Sequence, residues 1–279
     1  MSMPTTIRAV LKAAFTQLQP SATAHKDAEL LLLHTIGKNR AWLLAHPEAA
    51  IDAAALEQYE EKIARRAKHE PIQYIIGEQE FYGLALRVTP AVLIPRPETE
   101  HLVEAVLSRL PHDGPLRIAD IGTGSGAIAI ALAYHLPQAR TAALDISPAA
   151  LVIARENAIR HNVADRIDFR ESDLLSAVDA QQFDAIVSNP PYVSTKEELE
   201  LQVRDYEPAT ALYAGESGLD IYRRLIPQAY AALKQGGWLM MEIGHNQRDP
   251  IADLLKGWTD VTFINDLQGI PRVAIARRA

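Results

Sequence analysis

From residue 115 onward, short apolar and β-branched runs alternate with longer segments whose apolar residues recur at helical spacing. The runs that predict strands are LRIADIG, RTAALDIS, RIDFRES, FDAIVSN, GGWLMMEIG, VTFIND and VAIARR. The segments that predict helices are AIAIALAYHL, PAALVIARENAIRH and GLDIYRRLIPQAYAALKQ. Because parallel strands need crossover connections, this order favours an α/β fold with a doubly wound, mainly parallel, seven-stranded sheet. No helix separates the last two strands, so we expect an antiparallel hairpin at the C-terminal edge.

The chain before this sheet has a different character. TIRAVLKAAFTQLQ, KDAELLLLHTIGKN and IDAAALEQYEEKIARRAKH have apolar residues at helical spacing, so residues 1–71 predict a small helical bundle. This bundle can serve for packing or for docking a substrate, and we expect a docking domain. Alternating and β-branched residues with two glycines make residues 72–95 a predicted β-hairpin linker. Residues 96–279 then form the α/β domain, which begins with a helix after Pro97.

A glycine-rich turn follows the first predicted strand of the sheet, in DIGTGSGAIA. Gly122, Gly124 and Gly126 allow a tight turn and a close approach of a ligand to the backbone. Asp145 ends the next strand, where a carboxylate can accept hydrogen bonds from ribose hydroxyls. Both a dinucleotide and S-adenosylmethionine satisfy this pattern. Asp173, after the third strand, lies where an adenine amino group is expected, although it can also cap a turn.

The segment SNPPYV at 188–193 directly follows the apolar run FDAIV. Two prolines cannot continue a central strand, and the end of this fourth strand lies beside a ligand bound over the first strand. There, the Asn189 side-chain oxygen and the Pro190 carbonyl can accept both hydrogens of a planar NH2 group. Tyr192 can stack on that group, and Pro191 completes the loop. The loop therefore predicts a site for an amide or an aryl amine, with Asn189, Pro190 and Tyr192 as catalytic residues.

Composition limits the class of protein further. The chain has 279 residues, a net charge of −7 and no cysteine, which excludes disulfides, thiolate catalysis and zinc–thiolate sites. EHLVE lacks the second histidine of the zincin motifs, so we predict no metal site. No window is apolar enough for a membrane span, and the N-terminal segment lacks the pattern of a secretory signal. We therefore expect a cytoplasmic protein that binds neither membranes nor, given its acidity, nucleic acid directly.

Three of these motifs, DIGTGSG, LDIS and SNPPYV, resemble the amino-methylating class I S-adenosylmethionine-dependent methyltransferases. EFYGLALRVTPAVLIPRPETEHLVE and YEPATALYAGESGLDIYRRL are similar to the HemK/PrmC family of peptide chain release factor glutamine methyltransferases. The resemblance implies transfer of a methyl group to the glutamine of the release factors' Gly-Gly-Gln motif, which yields N5-methylglutamine and S-adenosyl-L-homocysteine. It implies cofactor contacts at Gly122, Thr123, Gly124, Ser125, Gly126, Asp145, Ile146, Asp173, Leu174 and Asn189. It implies substrate contacts at Asn189, Pro190, Pro191 and Tyr192.

Three alternatives remain at this stage. DNA adenine methyltransferases share the Asn-Pro-Pro-Tyr loop, but they flip a base and grip phosphates, which suits a basic protein better than this acidic chain. A ribosomal-protein glutamine methyltransferase resembles this chain in loop and chemistry, but its relatives tend to depart from RPETE, which is kept here at 96–100. A binding module without activity is the third, and the intact glycine loop beside an intact NPPY argues against it.

Overall fold

The computed structural model describes residues 5–19, 21–178 and 182–279. Their contacts divide the chain into two compact units. The first comprises the chain up to Gly77 together with Glu200–Tyr206, and the second comprises Glu78–Leu199 with Glu207–Ala279.

The first unit is helical. Its helices are α1 Ile7–Leu18, α2 Ala24–Ile36, α3 Arg40–Ala45, α4 Ala53–Arg66, α5 Ile72–Ile76 and, from its place in the chain, α9 Leu201–Arg204. Side-chain caps start α1, α3 and α4. Ala9 N donates to Thr6 Oγ1 at 3.3 Å, Trp42 N donates to Asn39 Oδ1 at 2.9 Å, and Ala55 N donates to Asp52 Oδ1 at 2.9 Å. Gly37, in the left-handed conformation, ends α2. The apolar faces of these helices bury one core, as the periodicity predicts.

The sequence prediction was wrong at residues 72–76, where β-branched residues favoured a strand. IQYII forms the helical turn α5, which belongs to the first unit. Two backbone constraints at its ends override the propensity of the side chains. Pro71 precedes the first helical residue, and the Gly77 N–H donates to the Gln73 carbonyl from a left-handed conformation that closes the turn.

The described residues of the second unit form nine strands. They are β1 Glu78–Phe81, β2 Leu84–Arg87, β3 Arg117–Ile121, β4 Arg140–Asp145, β5 Ile167–Glu171, β6 Phe183–Ser188, β7 Leu233–Glu242, β8 Thr259–Asn265 and β9 Pro271–Arg277. Its helices are α6 Glu100–Leu107, α7 Ala127–His135, α8 Pro148–Arg160, α10 Asp220–Ala232 and α11 Arg248–Leu254. A 3-10 turn, Pro97–Thr99, precedes α6. The short helices α3, α9 and α11 were not predicted from the sequence.

Seven of the strands form one sheet in the order β5-β4-β3-β6-β7-β9-β8, and β1 and β2 form a separate antiparallel hairpin. All neighbours from β5 to β7 are parallel, and β9 is antiparallel to both β7 and β8. This confirms the predicted α/β sheet and its C-terminal hairpin. Chain order reverses between β3 and β6, so the loops that follow these two neighbouring strands meet at the topological switch point.

Alternate residues of the central strands pack into two cores, one on each face of the sheet. Ile118 and Val187 belong to one core, whereas Ala119 and Ile186 belong to the other. Burial on both faces explains why these strands are continuous apolar runs. Within the described residues, no helix has the length and hydropathy that crossing a membrane requires.

Candidate active site

A cavity of about 320 Å³ opens at the carboxyl ends of β3, β4 and β6. Nine of the predicted site residues line it: Gly122, Gly124, Asp145, Ile146, Asp173, Leu174, Asn189, Pro190 and Pro191. The remaining four, Thr123, Ser125, Gly126 and Tyr192, are not among its lining residues. The parallel sheet thus brings together segments that are far apart in sequence, because parallel strands end at the same edge.

The glycine loop connects β3 to α7 with a backbone that L-residues rarely adopt. Gly122, Gly124 and Gly126 have φ of +71°, +55° and +83°. A Cβ at Gly126 would lie 2.9 Å from Ile130 Cδ1 and 3.2 Å from Ala154 Cβ, so this third glycine permits close packing of the helices. The first two glycines leave their backbone accessible at the cavity.

The other two residues of the loop stabilise it from behind. The Thr123 hydroxyl donates to Asp120 Oδ2 at 2.7 Å, and both side chains are buried. The Ser125 carbonyl accepts from Asn157 Nδ2 at 2.9 Å. Asn157 is fully buried on α8, and its carboxamide also exchanges two hydrogen bonds with the backbone of Arg87 in β2. Asn157 was not predicted from the sequence, where its only signal is a polar residue on the buried face of a helix.

Asp145 lies at the end of β4, beside the glycine loop. Its Oδ2 accepts from Gly124 N at 2.8 Å, and its Oδ1 accepts from Ser147 N at 2.9 Å. Burial raises the pKa of Asp145, and the backbone hydrogen bonds partly oppose this shift. Each carboxylate oxygen has a further lone pair, so Asp145 can hold the loop and still accept from a ligand hydroxyl.

Asp173 and Leu174 form the third edge of the cavity. Arg224 Nη2 in α10 donates to Asp173 Oδ2 at 2.5 Å, and both side chains are about half exposed. Leu174 has φ of +54°, a left-handed conformation that is strained for a residue with a Cβ. Ser172 Oγ donates to the Leu174 carbonyl at 2.7 Å and helps to hold this turn.

Asn189 lies directly after β6, and its side chain has one partner among the described residues. Its Nδ2 donates to Thr99 Oγ1 at 3.0 Å, whereas no hydrogen bond to its Oδ1 is found in the described part of the chain. The strand end is fixed by the buried Ser188, whose hydroxyl donates to the Ile121 carbonyl at 2.7 Å. The arrangement leaves an amide oxygen as the available atom of Asn189.

Tyr192 is not among the residues that line the cavity, and it packs against the core on one face of the sheet. Its hydroxyl donates to Glu242 Oε1 at 3.3 Å, and its carbonyl accepts from Gln247 Nε2 at 3.1 Å. The stacking role of Tyr192 stays a prediction, and the structure adds a role in holding the loop on the end of β7.

Two buried acids lie under the site, Asp120 below the glycine loop and Glu242 below the NPPY loop. Burial raises the pKa of each carboxyl to about 7. Asp120 Oδ1 is buried and has no partner among the described residues. Glu242 Oε2 accepts from the Thr99 hydroxyl at 2.6 Å. Thr99 and Glu242 were not predicted from the sequence, although an acid inside the apolar run LMMEIG was an available signal.

A second cavity, of about 530 Å³, lies at the opposite edge of the sheet. Its lining comes from the amino ends of the strands, with Leu116, Arg140 and Ile167 among the residues. No predicted site residue lies there. Ligands of open α/β sheets bind outside the carboxyl ends of the strands, so the smaller cavity is the candidate site.

Two family models match the chain. Residues 9–77 match the PrmC N-terminal domain, and residues 99–205 match the methyltransferase small domain. Among solved structures, a ribosomal protein L11 methylase from Lactobacillus delbrueckii subsp. bulgaricus is 26% identical with a TM-score of 0.50, over 70% of this chain and 86% of that one. Fold, site and family model together define an S-adenosylmethionine-dependent methyltransferase, which resolves the choice of cofactor against a dinucleotide.

Curated relatives define the family more closely. The release factor glutamine methyltransferase of Koribacter versatilis is 47% identical over 278 residues, which cover 98% of this chain and 99% of the relative. The enzyme of the same name from Escherichia coli is 42% identical, over 96% of this chain and 97% of the relative. The chain belongs to the family of release factor glutamine methyltransferases.

Proposed function

We propose that this protein transfers the methyl group of S-adenosylmethionine to the side-chain nitrogen of the glutamine in the Gly-Gly-Gln motif of peptide chain release factors. Membership of the family supports the reaction and the substrate. The observation that carries the proposal for the site is the orientation of Asn189. Its amide nitrogen donates a hydrogen bond to Thr99, and its amide oxygen accepts none from the described residues at the end of β6, where the cofactor cavity opens.

The lining of the cavity fits this cofactor. Gly122 and Gly124 have no side chain and a left-handed backbone, so a ligand can lie directly on the loop. Asp145 retains lone pairs for ribose hydroxyls at the neighbouring strand end. Bound there, S-adenosylmethionine supplies an activated sulfonium methyl group.

The NPPY loop binds the substrate through hydrogen bonds. Asn189 Oδ1 and the Pro190 carbonyl accept the two hydrogens of the glutamine carboxamide, which holds its nitrogen toward the methyl group. Proximity and orientation of this kind lower a barrier by about 7–11 kcal/mol. An amide nitrogen becomes acidic only as it is alkylated, so the site needs no strong base in advance. Consistent with this, no histidine is found among the described residues that line the cavity.

The test is a transfer assay with the purified full-length chain, labelled S-adenosylmethionine and an intact release factor. We expect label on the release factor, with the methyl group located by mass spectrometry on the glutamine of Gly-Gly-Gln. A glutamate side chain at that position has no N–H donor, so a release factor that carries it should stay unlabelled. A site built on hydrogen bonds rejects such analogues by about 10⁴–10⁵. Label on the glutamate variant would contradict the proposal.

Two further arms use ribosomal proteins and duplex DNA as substrates. Efficient labelling of a ribosomal-protein glutamine in preference to the release factor would replace the proposed substrate and keep the chemistry. Labelled DNA would overturn the prediction that nucleic acid is not bound directly. The cytoplasmic location likewise stays a prediction, which fractionation of cells that express a tagged chain can test.

A further inference from the structure

The segment RPETE at 96–100 distinguished between candidate substrates in the sequence, but no function in the site was assigned to its residues. In the structure, the Arg96 guanidinium donates to the buried carboxylate of Glu207 at 2.5 Å. Tyr82 N donates to Glu100 Oε1 at 2.8 Å. These two contacts fix the 3-10 turn between them at both ends, and Thr99 lies in that turn. Thr99 is only 4% exposed, so its position is set by the surrounding protein.

Thr99 connects Asn189 to Glu242 through two consecutive hydrogen bonds. Asn189 Nδ2 donates to Thr99 Oγ1 at 3.0 Å, and Thr99 Oγ1 donates to Glu242 Oε2 at 2.6 Å. The other carboxylate oxygen of Glu242 accepts from Tyr192 at 3.3 Å. Glu242 is 2% exposed at the end of β7, so water contributes little to this network.

The direction of these hydrogen bonds follows from the chemistry of the groups. An ionised carboxylate can only accept, so the single hydroxyl proton of Thr99 points to Glu242. The Thr99 oxygen must then accept from Asn189, which requires the NH2 end of the carboxamide to face Thr99. The carbonyl end of Asn189 is left for the substrate. A carboxamide without such a neighbour could present either end, and an NH2 group facing the substrate NH2 would be repulsive.

We propose that Thr99 and Glu242 are positioning residues that fix the carbonyl end of Asn189 toward the substrate and thereby make the site select glutamine over glutamate. The inference deepens the proposed function and rests on Asn189 as the acceptor of the substrate amide. The selection depends on which group donates and which accepts the hydrogen bond. A fixed acceptor attracts the NH2 of glutamine and repels the carboxylate of glutamate, whereas a carboxamide free to rotate can donate to either oxygen of a carboxylate.

Protonation of Glu242 should weaken this selection, because a carboxylic acid can also donate. The charged and titratable groups around Glu242 are Glu98 before Thr99, Arg272 on β9, Tyr192 in the loop and Tyr222 on α10. Burial is the main cause that raises the pKa of Glu242 to about 7. We therefore expect full selection above about pH 7 and weaker selection as the pH falls below it, in the range where a release-factor glutamate stays ionised.

The experiment compares Thr99→Val, which keeps the shape of the side chain and removes its hydroxyl, with Thr99→Ser, which keeps the hydroxyl. Both full-length variants are assayed for kcat/KM on a Gly-Gly-Gln release factor and for inhibition by the Gly-Gly-Glu form. Loss of one orienting hydrogen bond should lower kcat/KM of Thr99→Val about tenfold and tighten inhibition by the Gly-Gly-Glu form by a similar factor. Thr99→Ser should restore most of both. Affinity for S-adenosylhomocysteine should not change.

Tighter binding of the Gly-Gly-Glu form distinguishes a positioning role from a merely structural one. A structural role would weaken the binding of both the Gly-Gly-Gln and the Gly-Gly-Glu forms. Equal losses in Thr99→Val and Thr99→Ser, or unchanged inhibition by the Gly-Gly-Glu form, would overturn the inference. If Thr99→Val does not fold, Glu242→Gln serves instead, because its amide can donate to Thr99 and should relax the selection in the same direction. Asn189→Ala distinguishes the two proposals, since its full activity would refute the proposed role of Asn189 itself.

Discussion

Asp145 has two roles, and neither is part of the methyl transfer itself. A substitution there should therefore affect cofactor binding rather than the chemical step. Asp145 holds the backbone of Gly124 and Ser147 and leaves lone pairs toward the cavity. We expect Asp145→Ala to raise the Kd for S-adenosylhomocysteine roughly 10- to 100-fold, the loss typical of a hydrogen bond to a charged group. Isothermal titration measures this directly. Turnover at saturating cofactor should recover most of its wild-type value, and an unchanged Kd would refute the ribose contact.

Asp120 should make the stability of the protein depend on pH. Burial raises the pKa of its carboxyl from an ordinary 3.8 to about 7, so the folded state holds a proton that the unfolded state releases. Stability from this group is therefore full at low pH and is lost as the pH rises from about 4 through 7. Asp120→Asn removes the titration because an amide does not ionise, and its oxygen can still accept from Thr123 and Ala129.

Urea unfolding of the wild type and of Asp120→Asn tests this prediction at about pH 5.5 and pH 8.5. Between about pH 5.5 and pH 8.5, we expect the free energy of unfolding of the variant, relative to that of the wild type, to increase by a few kcal/mol. The exposed Asp253→Asn serves as the control, since 71% of that side chain is accessible to solvent. A difference between variant and wild type that does not change with pH would contradict the prediction.

The site residues differ in how well the sequence predicted where they lie. Gly122, Asp145 and Asn189 lie where the pattern of strands placed them, since the end of a strand is readable from a local run of residues. Thr99 and Glu242 are 143 positions apart, and only the packing of the 3-10 turn on the end of β7 brings them together. No local pattern encodes a contact of that kind.

At the scale of elements, the NPPY loop depends on a glycine in another segment. A Cβ at Gly218 would lie 2.3 Å from the Tyr192 carbonyl oxygen and 2.8 Å from Gln247 Nε2. Gly257 has a similar left-handed backbone, with φ of +95° against +69°, and nothing within 4 Å of its Cβ position. An alanine at either position would therefore be strained in its backbone, but only at Gly218 would it also press on the loop.

We expect Gly218→Ala to reduce kcat by an order of magnitude or more, because displacement of a catalytic loop by about 1 Å can cost on the order of 10² in rate. Gly257→Ala should lose about 1 kcal/mol of stability from strain alone and keep its kcat. Thermal unfolding and steady-state kinetics of both variants provide the comparison. Equal kcat values for the two would show that Gly218 does not support the loop.

Whether a helix could be predicted from the sequence depended mainly on its length. The central strands β3, β4 and β6 were predicted because burial on both faces makes each a largely apolar run. The long helices α1, α2, α4, α8 and α10 were predicted because several turns of periodicity are visible. α7 is apolar almost throughout, and it was predicted because it follows the glycine-rich turn. α3 and α11, with six and seven residues, are too short to repeat a period. For α5, backbone constraints from Pro71 and Gly77 outweighed β-branched side chains.

At the scale of the whole molecule, we propose that the helical first unit contributes to docking of the release factor. If so, an intact release factor should have a much lower KM than a short Gly-Gly-Gln peptide, while the two have similar kcat. Kinetics with both substrates on the full-length chain measure the difference. Equal KM values would show that recognition is confined to the glutamine loop.

The central claim is that Asn189 Oδ1 and the Pro190 carbonyl together hold the NH2 group of the substrate glutamine. A crystal structure of the protein with S-adenosylhomocysteine and a Gly-Gly-Gln peptide tests it most directly. We predict that the glutamine nitrogen lies about 2.7–3.2 Å from both oxygens and faces the cofactor sulfur. A glutamine nitrogen beyond hydrogen-bond distance of Asn189, or an Asn189 side chain turned away from Thr99, would contradict the account.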